Sequence, residues 1–276
     1  MSLQTSTRPA LVTAHPAYLS YGLLWLAAAG VIALRGQYLI AGAQAVMLTV
    51  VLLLMLLSRR LASPAAGQGP SRAVRVSEGI VLVGMILVTI WYTLVFHRTG
   101  SLPFGLKPWT MLIVNPAIMV LAPGVLLLAL GVKLPDLGLG KGRRSWLLGL
   151  LWSAPYFLWV AVEMILTGTP APLRILTRAF NSFFMNGFSE EFLWRGAVQT
   201  RLERALGNQW GLVLASLLFG IWHVGANLQV FPGDYLGAIA MGVASQSVLG
   251  LAFGYLFQRT GNLIAPTLMH IASHLP

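Results

Sequence analysis

Three short patterns in this chain combine residue types suited to acid–base chemistry, and all three sit inside apolar runs. The densest is Glu190-Glu191-Phe192-Leu193-Trp194-Arg195. Ionisable groups within apolar helices are rare, so each one points to a function and to a partner that must be named. On a helix, adjacent side chains point about 100° apart, whereas residues four apart share a face. Glu191 therefore lies over Arg195, with the acid N-terminal to the base, the favourable order for an ion pair. Glu190 faces elsewhere and has no local cation. Withdrawing water from an unpaired carboxylate is the usual way a protein makes it an effective general base near neutral pH, which makes Glu190 the candidate base. The competing reading is that both acids pair with basic residues on neighbouring helices and serve packing alone.

The second pattern is Phe219 with His223, four apart, so that the ring can wall the imidazole off from lipid and water. The third is His270 with His274, which share a helical face at a spacing that suits two metal ligands or two hydrogen-bond donors aimed at one point. As polar tips near a chain end they could equally sit at the headgroup level. Asn227, four residues past His223, is a further candidate donor.

These residues need helices that cross a bilayer. Of 276 residues, 57% are hydrophobic and 9% charged, which argues against a soluble enzyme and against disorder. Stretches of about 20 apolar residues span a membrane, and six qualify: 17–34, 38–57, 79–97, 111–132, 146–166 and 236–257. Three more, 179–200, 210–226 and 263–275, are apolar but carry the ionisable groups. The expected fold is all-α, a polytopic transmembrane helical bundle of about eight membrane helices plus a short C-terminal helix. It forms a single integral membrane domain with an N-terminal tail at 1–16, apolar helices of unassigned role at 17–167 and a catalytic core at 178–276. The first span reads as a retained helix, because its apolar run is long for a cleaved signal.

At 1.5 Å per residue, Glu190 lies roughly 16 Å from Arg201, His223 roughly 20 Å from Trp210 and His270 roughly 14 Å from Gly261. These reference residues belong to one side, so the three groups reach similar depths and could meet. Glu163 lies roughly 26 Å from Trp146, near the opposite surface, and is read as an interfacial acid.

If each stretch crosses once, one side collects Arg8, Arg59, Arg60, Arg72, Arg75, Lys133, Lys141, Arg143, Arg144, Arg201, Arg204 and Arg259. The other has Arg35, Arg98, Lys107, Arg174 and Arg178. The richer side is expected to be cytoplasmic, with the N-terminus inside. This placement also accounts for the net charge of +11 through lipid contact and orientation, so nucleic acid is not expected as a partner. Residues 58–78 read as a flexible basic loop, and Gly138, Gly140 and Gly142 as a turn rather than a phosphate loop. The chain has no cysteine, which removes disulfides, thiolate metal sites and a cysteine nucleophile.

The ordered set Glu190-Glu191-Phe192-Leu193-Trp194-Arg195, Phe219-Gly220-Ile221-Trp222-His223 and His270 resembles the CPBP family of intramembrane endopeptidases, the CAAX proteases and bacteriocin-processing enzymes. The EExxxR and FxxxH motifs are matched in full, and Gly261 to His270 resembles the family's last motif region. The resemblance covers about residues 180–275. One departure is that the third motif usually reads HxxxN, whereas His274 stands in the asparagine's place here. An imidazole N–H can replace an amide donor.

What the resemblance implies is peptide-bond hydrolysis inside the membrane with water as nucleophile. Glu190 would take the water's proton, His223 would help hold that water, and His270 with His274 would donate hydrogen bonds to the oxyanion. Glu191 and Arg195 would fix the helix geometry. No cofactor is favoured. The alternative chemistry is a zinc ion held by Glu190, His223 and His270 with an open position for water. The expected substrate is a membrane-embedded or lipid-anchored protein or peptide, and the expected location a bacterial cytoplasmic membrane. Rival functions are a non-catalytic membrane scaffold or bacteriocin-immunity protein on the same fold, and a transporter using Glu and His as relay groups, for which no internal repeat is evident.

Overall fold

The structure is a computed structural model that describes residues 15–59, 61, 73–99, 108–168 and 172–275. The expected tail up to residue 14, residues 60 and 62–72 of the basic loop, Lys107 and residue 276 lie outside the described residues. Among the described residues there is no strand, and every apolar stretch marked out above is helical.

Among the described residues ten helices, numbered in chain order, build the bundle. They are α1 Pro16–Leu34, α2 Tyr38–Ser58, α3 Val76–Thr99, α4 Met111–Ala129, α5 Ser145–Thr167, α6 172–206, α7 Asn208–Trp222, α8 Val224–Asn227, α9 Tyr235–Thr260 and α10 Ile264–Ser273. Six of them, α1 to α5 and α9, are long and apolar enough to cross a membrane by length and composition. α7 and α10 are shorter apolar helices, and α6 carries the charged motif. Glycines with positive φ reverse the chain at two decisive points, Gly207 (φ 86°) between α6 and α7 and Gly261 (φ 76°) between α9 and α10. That backbone region is open to glycine at little steric cost.

Polar contacts identify the two ends of the bundle. At one end Arg201 Nε lies 3.3 Å from Glu78, Arg204 pairs with Asp136 at 2.6 Å, and the Arg143 N–H donates to the Thr260 carbonyl at 2.8 Å. At the other, Arg35 pairs with Asp234, and the Gln229 amide nitrogen meets His97 Nδ1 at 3.2 Å. The first holds Arg59, Arg75, Lys133, Lys141, Arg143, Arg144, Arg201, Arg204 and Arg259, and we call it the basic end. The far end holds Arg35, Arg98, Arg174 and Arg178 among the described residues. The glycine cluster is a turn at the basic end, where Gly138 (φ 75°) closes Leu134–Leu137 and its carbonyl accepts the Leu263 N–H at 3.1 Å.

One buried cluster runs from Ala17 and Trp25 on α1 through Trp152, Trp194 and Phe219 to Met269 on α10. In lipid, close helix contact depends on small residues. α7 and α9 meet where a Cβ on Gly220 or on Gly242 would collide with the other's carbonyl group. Several helices are locally widened to π geometry: Ala117–Leu121 after Pro116, Phe183–Gly187 and Phe192–Gln199 on α6, and Gly242–Gln246 on α9. Such turns rotate the faces that follow them and are frequent at functional sites.

Candidate active site

The two π turns of α6 bracket the residues Phe188–Glu191, so Glu190 and Glu191 project from a short regular turn between two widened ones. Glu191 and Arg195 are both fully buried, and Glu191 Oε2 lies 3.0 Å from Arg195 Nε. The other oxygen of Glu191 accepts from His270 Nδ1 at 2.8 Å, which ties α6 to α10. The Arg195 guanidinium sits 4.9 Å from the Phe219 ring centroid and 5.7 Å from that of Phe253, a cation–π arrangement away from water. Phe253 also stacks on His270, with ring centroids 4.6 Å apart. Glu191, Arg195, His270 and the two rings therefore form one closed layer across α6, α7, α9 and α10.

Glu190 stands on the other side of that layer. Its Oε2 is buried and makes no hydrogen bond; His270 Nε2 is 3.8 Å away. It lines a cavity of about 370 Å³ shared with His223 and His274. The walls opposite are given by α3, through Tyr92 and His97, and by α4, through Met111 and Asn115. His223 sits where α7 passes into α8, and its Nδ1 is 2.8 Å from the Phe219 carbonyl. A carbonyl only accepts, so Nδ1 carries the hydrogen, and in the neutral form of the ring Nε2 keeps a lone pair. The Phe219 and His223 rings meet edge to face at 4.7 Å. His274 is exposed, stacks on His270 at 5.3 Å between centroids, and places Nε2 3.5 Å from the Asn186 amide nitrogen.

Glu190, Glu191, Arg195, Phe219, His223, His270 and His274 thus come together. Two placements differ from the roles considered for these residues. His270 is not on the cavity wall, because both its ring nitrogens face the glutamates. Asn227 is buried and turned toward α9, where its amide exchanges hydrogen bonds with Gln246 at 3.2 and 3.1 Å and donates to the Ala238 carbonyl at 3.1 Å. Glu163, half-buried in the outer part of α5, takes no part in lining the cavity. Among the described residues no three His, Asp or Glu side chains are grouped so as to hold a metal ion.

Five polar residues of the cavity wall, Tyr92, Thr93, His97, Asn115 and Asn186, are not singled out by the sequence. Asn115 accepts from the Tyr92 hydroxyl at 2.8 Å and donates to the Met185 carbonyl at 2.7 Å, within the π turn that leads to Glu190. Asn186, in the same turn, faces His274. A buried asparagine in the apolar run of α4 was the available signal, since such a group must find a partner.

Residues 172–275 match the family model described as type II CAAX prenyl endopeptidase Rce1-like. The match contains all three motifs and agrees with the resemblance they carry. Comparison with curated proteins and with solved structures gives no match. Residues 15–168 lie outside the matched segment, although α3 and α4 build part of the cavity wall.

Proposed function

With an Rce1-like CAAX-protease segment at residues 172–275 as the premise, we propose that the protein is a glutamate-dependent intramembrane endopeptidase acting on a membrane-anchored protein or peptide. The observation that carries this reading is the buried Glu190, whose Oε2 makes no hydrogen bond and whose side chain lines a cavity together with His223 and His274. A water beside Glu190 gives up a proton to the carboxylate, and its oxygen bonds to the carbonyl carbon of the peptide. The carbonyl electron pair moves to the oxygen, which becomes the oxyanion. When the tetrahedral intermediate collapses, the C–N bond breaks and the proton held by Glu190 passes to the leaving amine.

His223 suits the task of orienting the water, because its Nδ1 hydrogen is engaged by Phe219 and its Nε2 lone pair is free to accept. Donors to the oxyanion are assigned to His274 and the Asn186 amide, which face each other at the cavity. This reading moves His270 from oxyanion donor to a group that links the paired glutamate to the free one. A positioned base contributes about 10²–10⁴-fold to rate, and a single oxyanion donor about 10²–10³-fold. Glu191 and Arg195 hold the helix that carries the base.

The same reading sets the basic end, and with it the N-terminus, on the cytoplasmic side of a bacterial cytoplasmic membrane, because short loops rich in Lys and Arg stay on that side. The test is a survey of protein termini in cells expressing wild type or Glu190→Gln at matched levels. New termini near membrane segments in wild type alone are expected. Identical profiles from two folded, inserted proteins would replace the protease with a scaffold on the same fold.

A further inference from the structure

The cavity is lined from Glu190 toward the far end, with Met119 of α4 at about the depth of Glu190 itself. α3 contributes from Tyr92 to His97, its last turns; α4 contributes within its first half; α6 contributes Met185 and Asn186, before Glu190. Trp222, His223 and Ala226 come from the far-end turn of α7 and α8, and His274 from the far end of α10. Toward the basic end the cavity stops at the closed layer of Glu191, Arg195 and His270, packed on Phe219 and Phe253. A second buried polar layer follows, in which Glu203 accepts from Gln199 at 2.7 Å and from Gln258 at 2.8 Å, and Arg201 pairs with Glu78. At the far end the cavity's rim is polar and open: exposed Gln229 meets the cavity residue His97, and exposed His274 meets Asn186.

The charge distribution gives this geometry a side. Nine Lys and Arg residues sit at the basic end against four at the far end among the described residues. Residues 172–182, which lead into the glutamate pair from the far end, expose Leu173, Leu176 and Phe180 beside Arg174 and Arg178. That pattern suits a helix lying at a lipid–water boundary.

We infer that Glu190 is reached from the far end, the non-cytoplasmic face of the membrane, so that the polypeptide taken by this site is a membrane-anchored chain presented on the outer surface. The word substrate rests on the endopeptidase reading above; the sidedness rests on the cavity's position and the charge asymmetry, and is tested without turnover. A lipid-anchored protein whose processing region lies in the cytoplasm does not meet this cavity.

The chain has no cysteine, so single cysteines report accessibility without a background. Ala226→Cys lies on the cavity wall, Gln229→Cys at its rim and Lys141→Cys at the exposed basic end. Intact bacterial cells are treated with a charged, membrane-impermeant methanethiosulfonate, and the thiols left are counted with a polyethylene-glycol maleimide after denaturation. The expected result is loss of maleimide labelling at Ala226→Cys and Gln229→Cys in intact cells, and at Lys141→Cys only after permeabilisation. Protection of Ala226→Cys in intact cells overturns the inference, whether or not permeabilisation exposes it, and so does reaction of Lys141→Cys in intact cells. Repeating the assay with Glu190→Gln separates the two claims: unchanged labelling with no difference in termini removes the protease and leaves the sidedness standing, whereas reversed labelling with altered termini does the opposite.

Discussion

α2 and α9 are both apolar enough to cross a bilayer, yet they serve opposite ends of the design. α2 has the highest mean hydropathy of the six candidate spans, 2.5, and only 6% of its window is buried within the protein. α9 has a mean hydropathy of 1.7, and 67% of its window is buried. Lipid tails are as apolar as leucine, so apolarity does not drive a helix inward; small residues that allow close approach and polar residues that bond across helices do. α9 carries Gly242, Gly250 and Gly254, each with atoms of α6, α7 or α8 where a Cβ would go, whereas Gly42 on α2 faces open space. The chemistry accordingly sits among the less apolar helices.

The contrast predicts where substitutions matter. The largest effect on stability is expected from Arg195→Ala, because it strips the partner from fully buried Glu191; removing one member of a buried pair costs about 3–5 kcal/mol. Thermal unfolding of the purified protein in detergent measures this. Asn115→Ala leaves the Met185 carbonyl and the Tyr92 hydroxyl unpaired at the cavity, a loss of about 1–3 kcal/mol. Its expected signature is a fall in kcat of roughly tenfold with little change in KM, since the π turn carries Asn186 and Glu190; Asn115→Asp keeps the acceptor for Tyr92 but has no N–H for the Met185 carbonyl and is expected not to restore it.

A smaller, pH-limited effect belongs to the far-end pair. Arg35, and after it the Gly237 N–H, holds Asp234 at about 2, below the ordinary aspartate value of 3.8. Stability from this pair is therefore fully present above about pH 5 and lost as pH falls through about 2. The difference in unfolding midpoint between wild type and Asp234→Asn is expected to stay constant from pH 5 to 8 and to shrink in acid. Smallest of all, Leu53→Ala on the exposed face of α2 shifts stability by less than about 0.5 kcal/mol in detergent; a loss several times larger would break the comparison.

The sequence makes the helices legible because length and lack of charge are enough to mark a membrane segment. It also distinguishes Glu191 from Glu190, because a partner four residues away on the same helix is a local relation. The contacts that escaped were made across the fold. Asn115 finds Met185 seventy positions away, Asn227 finds Gln246 instead of the cavity, and His270 turns both nitrogens to carboxylates. Helical spacing places a residue on a face but not that face against a neighbour, and the π turns of α6 rotate the faces beyond what a period of 3.6 describes. The match at residues 172–275 likewise stops short of α3 and α4, whose side chains complete the cavity.

The central claim is that two adjacent glutamates have different tasks, one free at the cavity and one locked in the layer beneath it. The most direct measurement compares purified Glu190→Gln and Glu191→Gln for thermal unfolding and for cleavage of a substrate drawn from the survey of termini. The account predicts that Glu190→Gln unfolds at the wild-type temperature with cleavage reduced by about 10²–10⁴-fold or more, while Glu191→Gln unfolds at a clearly lower temperature. Wild-type cleavage by a folded Glu190→Gln protein would contradict it.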